Sequence, residues 1–575
     1  MLIVPFAYLL IKSQQKNITS TAVIYKPINE IVSSGQNQPW DDAFAMKKPA
    51  TCIVSCFITS FCIAQIDSFN HHKVMLDTES KIISWITPQQ NAYSEFLHQR
   101  WNHIKRYVPN SPGPGSRANY PQYYFYCAYI VKDGQLHPDQ WMNDIGERVP
   151  NWFESARLYY AFTGDIEPMN IVRKLVDYAI EHGTCPSTFD WPNFPYTTTN
   201  AGDTVFRGFT SAGRFVLHEI QVDHAGEMGL TYYRFYQFTG DKKYRTAALN
   251  VANTLATKAR VGTATHSVWP YRVVMNTGEV KAEYGANWTG CYTLLDNLVK
   301  ANIGNVSACK SAMAKAKNFM LQFPMKTGYW TDGHTDTDVN SETYKSNLSA
   351  SSMRLYLFDH PEFDTAWKKN ILSLIKWTED NFVTRTVGGE PSNQWGANIV
   401  GENDSFLYKM DYQTARYGAE CARWYSISGN ENYKEKAYRS LNWVTYCNDA
   451  NGLATESPVS KGINSWWSDC YGEGPRMFYH AMAAVPEWAP AHENHILYSE
   501  GILKNVTYSN AKIQYDATSR DGKEYIKLAF KPGKITLNGS AIPKSDYSIK
   551  EFRNGDYSLT IKRVKAGTII ISGNQ

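Results

Sequence analysis

Apolar residues recur at helical spacing in separate windows of the chain. Tyr244, Ala248, Val251, Ala252, Leu255 and Ala256 form one stripe, Tyr433, Ala437, Leu441 and Val444 another, and Trp367, Ile371, Leu374 and Ile375 a third. Each stripe follows a stop-and-restart signal: Phe238-Thr239-Gly240-Asp241, Ile427-Ser428-Gly429-Asn430 and the degenerate Leu357-Phe358-Asp359-His360-Pro361. Phe162-Thr163-Gly164-Asp165 repeats the signal near residue 160. Glycine ends a helix because it enters the left-handed region without strain, and Asp or Asn then caps the next helix by accepting from its free N–H groups. The pattern predicts a repeat of helical hairpins, and a further hairpin fits around Asn302 to Asn305, giving about six between residues 90 and 490. Such hairpins bury their faces only by stacking on neighbours, so a ring is expected.

Connection lengths alternate. Turns inside hairpins are tight, while the links 183–225, 261–286, 324–344, 383–410 and 448–472 are long. In a ring of hairpins all the long links lie on one face, and long loops of a compact domain commonly carry function. Beyond Pro490 the period changes to two. The segments 524–530, 535–538, 547–552, 556–562 and 567–572 read as strands, with Asp521-Gly522 and Asn554-Gly555 as turns, so residues 497–575 are expected to form a small antiparallel β-sandwich or sheet.

Composition adds two points. The 17 Trp and 38 Tyr suit either a bulky aromatic core or a sugar-binding cleft. Net charge is +4, from 58 basic and 54 acidic residues, with no Lys/Arg block, so no nucleic-acid footprint is present. Met46-Lys47-Lys48, the apolar run 50–64 and the ending Ile63-Ala64-Gln65 follow the order of a secretory signal peptide. On that basis residues 1–45 are an upstream over-call or leader, 46–64 the signal, and the mature chain an exported, periplasmic or cell-surface protein rather than an integral membrane one. Seven cysteines remain beyond the signal, with no C-x-x-C or Cys/His cluster, so neither a metal site nor a cofactor is expected. Walker, H-E-x-x-H and nucleophile-elbow motifs are absent from the sequence.

The long links and the helix starts after them mix carboxylates, aromatics and arginines. The first holds Trp191, Arg207 and the run Asp223-His224-Ala225-Gly226-Glu227, whose two carboxylates share one side of a helix start. The second holds Trp269 and Glu283-Tyr284-Gly285-Ala286-Asn287-Trp288. The fourth holds Trp395, Asp411 and Tyr412, and the fifth Trp466, Trp467, Asp469, Glu473 and Arg476. Adjacent tryptophans in a loop suit a sugar-stacking platform.

Paired carboxylates serve glycoside hydrolysis, one as proton donor and the other as nucleophile or base. The candidates are Asp223, Glu227 and Glu283, then Asp411, Asp469 and Glu473. Arg207 and Arg476 are candidates for holding a sugar carboxylate, whose geometry matches the guanidinium fork. Trp191, Trp269, Asn287, Trp288, Trp395, Tyr412, Trp466 and Trp467 are candidates for lining the sugar site. A second possibility is polysaccharide lysis by β-elimination, with His224 or Tyr284 as base and Asn287 or Arg207 neutralising the uronate. A third is a non-catalytic glycan-binding protein. The structural alternative for Asp223 and Glu227 is a helix cap and a dipole partner.

The junctions at Gly164 and Gly240, the run Trp466-Trp467-Ser468-Asp469 and the β tail resemble the six-hairpin glycosidase superfamily, and the Ile63-Ala64-Gln65 ending resembles signals of Bacteroidota glycan-degrading proteins. The resemblance covers roughly residues 90–490. It implies a mainly α fold, an (α/α)6 toroid, and the layout is most similar to glycoside hydrolase family 154, which implies exo-β-glucuronidase activity on plant glycans. Its motifs are architectural, so no catalytic pair is carried over from it.

Overall fold

The computed structural model describes residues 72–106, 120, 122–132, 135–211, 213–331, 345–383, 393–401, 410–457, 465–467 and 469–573. The expected leader and signal, residues 1–64, lie outside the described residues. The described residues form one compact unit.

Twelve helices of twelve residues or more occur among the described residues: α1 (Ala92–Arg106), α2 (Ile145–Thr163), α3 (Glu167–His182), α4 (Val222–Thr239), α5 (Lys242–Lys258), α6 (Thr289–Ala301), α7 (Val306–Gln322), α8 (Asn347–Asp359), α9 (Trp367–Thr378), α10 (Asp411–Ser428), α11 (Glu431–Thr445) and α12 (Asp469–Ala484). The even-numbered helices pack in a closed cycle, α2 on α4, α4 on α6, α6 on α8, α8 on α10, α10 on α12 and α12 on α2. Helices α3, α5, α7, α9 and α11 pack outside their partners, and α1 packs on α12. This is the expected (α/α)6 ring.

The turns behave as their residues dictate. Gly164, Gly240 and Gly429 take φ of 79°, 79° and 69°, and each donates its N–H back to the helix it ends. Asp241 and Asn430 accept from the N–H of Lys243 and Asn432, capping α5 and α11, and Asp165 accepts from Glu167 at 3.0 Å.

Inner helices α2 and α4 are buried on almost every side, as are α8 and α10 over most of their length. Their polar side chains therefore have to satisfy one another. Arg354 of α8 donates to Glu420 of α10 at 2.6 Å, both fully buried, and also to Leu374 O, Thr378 and Asn347.

The β region holds two antiparallel sheets. His495–Ser499, Gly522–Leu528, Tyr557–Arg563 and Tyr547–Glu551 form one, in that order; Leu503–Ser509, Lys512–Ala517, Gly567–Gly573, Pro532–Leu537 and Ser540–Ala541 form the other. Strands 495–499, 503–509 and 512–517 are additions to the five expected. The first is buried along its whole length and shows no alternation, and a register shift between Lys504 and Thr507 breaks the period of the second. The sheets pack on the tight-turn end of the ring. His495 stacks on Phe162 at 3.9 Å, Tyr508 donates to Ala161 O, Arg157 donates to Ser499 O at 2.9 Å, and Tyr498 donates to Asp359 at 3.1 Å.

Removing one member of a buried ion pair leaves the other without compensation, at about 3–5 kcal/mol. Glu420→Ala is therefore expected to lower unfolding stability by about that amount in urea titrations, well beyond the effect of Glu279→Ala on the surface.

Candidate active site

Contacts between helix starts show that the inner helices all begin on the long-link face. A Cβ on Gly146 of α2 would meet His224 of α4 at 2.9 Å, one on Gly472 of α12 would meet Asn151 of α2 at 3.0 Å, and one on Gly474 would meet Asp411 of α10 at 3.3 Å. Asn347 of α8 donates to Gln413 of α10 at 2.6 Å, and Thr331 O links the segment before α6 to α8 by accepting from Ala286 N and Ser349 Oγ. Six positive dipole ends surround one mouth, which favours anions there.

The start of α4 is fixed by a short sheet. Glu219–Gln221 pairs with Arg272–Val274, and Val222 N donates to Tyr271 O at 3.0 Å, so the chain leaves an extended segment directly into the helix turn carrying Asp223 and Glu227. Asp223 and His224 are buried, whereas Glu227 is only partly covered. Asn287, immediately before α6, donates through Nδ2 to Asp223 Oδ2 at 3.4 Å and to Glu227 Oε1 at 3.3 Å. Gly290 leaves the space that Glu227 occupies: a Cβ there would stand 2.3 Å from Glu227 Cγ.

Burial raises the Glu227 carboxyl above the ordinary range, and the Asp223 charge adds to this; His224, Arg476 and Arg416 pull the other way. Opposite, Arg416 of α10 and Arg476 of α12 share the fully buried Glu473, with Arg476 Nη2 at 3.3 Å from Glu473 Oε1 and Arg416 closer. Arg416 also donates to Ser351 at 3.2 Å. Burial and the charge of Arg476 push the Arg416 guanidinium down, and burial, with Arg157 adding to it, pushes that of Arg476 down. Below them Glu154 is shared by Arg157 and Arg234, which hold its carboxyl at about 2 against the cost of burial.

Of the sequence candidates, the structure thus brings together Asp223, His224, Glu227, Asn287, Glu473 and Arg476. The other candidates lie elsewhere or make other contacts. Glu283 is half-exposed and paired with Arg260. Asp411 is buried and ion-paired with Arg100 of α1 at 3.1 Å. Tyr284 donates to Tyr329 O and packs on Phe319 and Tyr329. Trp191, Trp269 and Trp288 are buried; Trp269 donates to Leu255 O and Trp288 to Gly285 O, and the two indoles pack together at 5.4 Å.

These tryptophans belong to the core rather than to a sugar platform, and Tyr412 is likewise buried. Trp395 is exposed, on a turn whose carbonyl pairs with Ile82 N. Arg207 is exposed on a hairpin, its carbonyl accepting from His218 N. Ser465–Trp467 forms a strand paired with Ala128–Lys132, and Asp469 opens α12; the side chains of Trp466, Trp467 and Asp469 lie outside the described residues.

Sequence reasoning missed Glu147 in the first turn of α2, which acts electrostatically on both Arg416 and Arg476, and left Arg416 unassigned. The recurring signal was an acidic residue in the first turn of inner helices, at Glu147, Asp223 and Asp411.

No family model and no curated protein matches the chain. Among solved structures it is similar to a D-mannose isomerase, at 11% identity and TM-score 0.46 over 68% of this chain and 97% of that one. It is also similar to a cellobiose 2-epimerase from Bacillus thermoamylovorans, at 10% and 0.46 over 68% and 98%, and to an unsaturated glucuronyl hydrolase specific for heparin, at 9% and 0.42 over 69% and 97%. At such identities the chemistry of the site has to be read from the side chains of this chain.

Two outcomes follow from the geometry. Gly290→Ala is expected to cost about 1–3 kcal/mol in thermal or urea unfolding, because Glu227 must move aside. A carboxyl whose folded pKa is raised holds its proton more tightly in the native state, so its penalty on stability grows as pH rises from the unfolded value through the folded one. Glu227→Gln should therefore be more stable than the parent at pH 7, with the gap closing as pH falls below the ordinary glutamate range.

Proposed function

We propose that the chain is an exported glycoside hydrolase acting on glycans that contain uronic acid, with Glu227 as the proton donor. The observation that carries this is the Glu227 carboxyl itself. It is partly open, biased towards its protonated form by burial and by Asp223, and tied to Asp223 through one amide. A raised carboxyl pKa beside a second carboxylate is what protonation of a glycosidic oxygen near neutral pH requires. In the proposed step Glu227 transfers its proton to the leaving oxygen as the bond to the anomeric carbon breaks. Water then adds to that carbon, and Asp223 takes the water's proton.

The same wall supplies a reason for an anionic sugar. Arg416 and Arg476 stand close enough to repel one another and share a single carboxylate, Glu473. A substrate carboxylate placed against them would relieve that repulsion, and Arg presents a fork suited to it. Exo action and β-glucuronide specificity, as in glycoside hydrolase family 154, are the finer form of the proposal and rest on the sequence resemblance. Export rests on the signal-like segment 46–64.

β-Elimination is less favoured by the placement of its candidates. His224 and Asn287 stand in the site but both are buried, Tyr284 is engaged with Phe319 and Tyr329, and Arg207 sits exposed in a separate loop.

With uronate-containing oligosaccharides the protein is expected to release free uronate with no new ultraviolet band; an unsaturated product would establish elimination instead. Glu227→Gln should lose about 10²–10⁴-fold in kcat, the usual contribution of general acid catalysis. Because the acid works protonated, kcat should fall as pH rises through the Glu227 pKa. A Glu227→Gln variant of near-parent activity would remove the residue from this role.

A further inference from the structure

Asn287 entered as a candidate sugar ligand, but its contacts give it a second duty. Its side chain is 3% exposed and uses one nitrogen for two acceptors, Asp223 Oδ2 at 3.4 Å and Glu227 Oε1 at 3.3 Å, which belong to successive turns of α4. The other end of the amide, Oδ1, is buried and has no hydrogen-bond partner among the described residues. An amide has one orientation compatible with two carboxyl oxygens, because turning it over would set its carbonyl against both of them.

The residue is also held in register. Ala286 N donates to Thr331 O, and Trp288, buried, donates its indole N–H to Gly285 O. Gly290, three residues on, receives the flank of Glu227.

We propose that Asn287 is the positioning residue of this site: its Nδ2 clamps Asp223 and Glu227 into one unit, and its Oδ1 receives a hydroxyl of the bound sugar. Binding of the sugar thereby locks the amide in the orientation that holds the carboxylates. The ligand class is a polyol ring able to donate a hydrogen bond. The second half of this statement rests on the glycoside hydrolase proposal; the first half does not.

The charged and titratable groups facing Glu227 are Asp223 and His224 on α4, Arg416 on α10, Arg476 on α12 and the Cys291 thiol on α6. Hydrogen bonds to the ionised form favour that form, so loss of the amide moves Glu227 further towards its protonated state.

The test is a ¹³C-carboxyl NMR titration of Glu227 in the free protein, for the parent, Asn287→Ala and the isosteric Asn287→Asp. The titration midpoint should rise by about 0.5 unit or more in Asn287→Ala, and further in Asn287→Asp, where a carboxylate replaces the donor. With a uronate oligosaccharide as probe, Asn287→Ala should raise KM about tenfold, the loss of one buried hydrogen bond, while Asn287→Asp, which keeps an acceptor oxygen, should raise it less. A Glu227 midpoint unmoved in both folded variants overturns the clamp. A moved midpoint with equal KM in parent and Asn287→Ala overturns the sugar contact alone. A moved midpoint in a protein that cleaves no uronate glycan keeps the clamp and sinks the hydrolase proposal. If Asn287→Ala does not fold, the Asn287→Asp titration decides.

Discussion

Charges buried around the axis of the ring have to neutralise one another, and the rest of the molecule is arranged around that constraint. An unpaired buried charge costs several kcal/mol, so six inner helices can enclose arginines and carboxylates only in matched sets. Arg354 is matched with Glu420, Arg157 and Arg234 with Glu154, and Arg416 and Arg476 with Glu473. Each set spans two or more helices, so pairing also fixes which helices are neighbours. The Glu154 and Glu473 sets each place two guanidinium groups on one carboxylate, and the arginines of the Glu473 set act electrostatically on Glu227.

Close approach of the inner helices makes those pairings possible. Glycine stands where a side chain would meet a neighbouring helix: Gly146 beside His224, Gly226 beside Cys291, Gly290 beside Glu227 and Gly418 beside Leu441. The mouth end and the turn end then diverge in character. At the mouth the helix starts present N–H groups and positive dipoles to a polar wall. At the turn end the β region covers the helix ends, with His495 on Phe162 and Arg157 on Ser499 O. Through Arg157 and Glu154 that covering joins the same charge network that reaches Arg476.

The fold was legible in the sequence because its signals are local. Gly240 and Asp241 end one helix and start the next through contacts within a few residues, and the stripe from Tyr244 to Ala256 needs no distant partner to be seen. The mouth was legible as a face, through link lengths, and Asp223, Glu227 and Asn287, which the structure hydrogen-bonds together, drew notice because each adjoins an inner-helix start. What the sequence concealed is direction. Asp411, like Asp223, lies in the first turn of an inner helix, yet it pairs with Arg100, 311 residues away on α1. Trp269 and Trp288 lie in a long link but fill the core under it, and nothing local separates them from a platform. Glu147 was overlooked because the arginines it acts on, Arg416 and Arg476, lie in other hairpins.

The central claim is that substrate meets the protein where the inner helices begin. The most direct measurement is a crystal structure of the Glu227→Gln variant soaked with a uronate-containing oligosaccharide. A sugar ring lodged beside residue 227 and Asn287, with its carboxylate towards Arg416 and Arg476, is the predicted result. Ordered sugar on the β region or the outer helices, with the mouth unoccupied at saturating ligand, would contradict it.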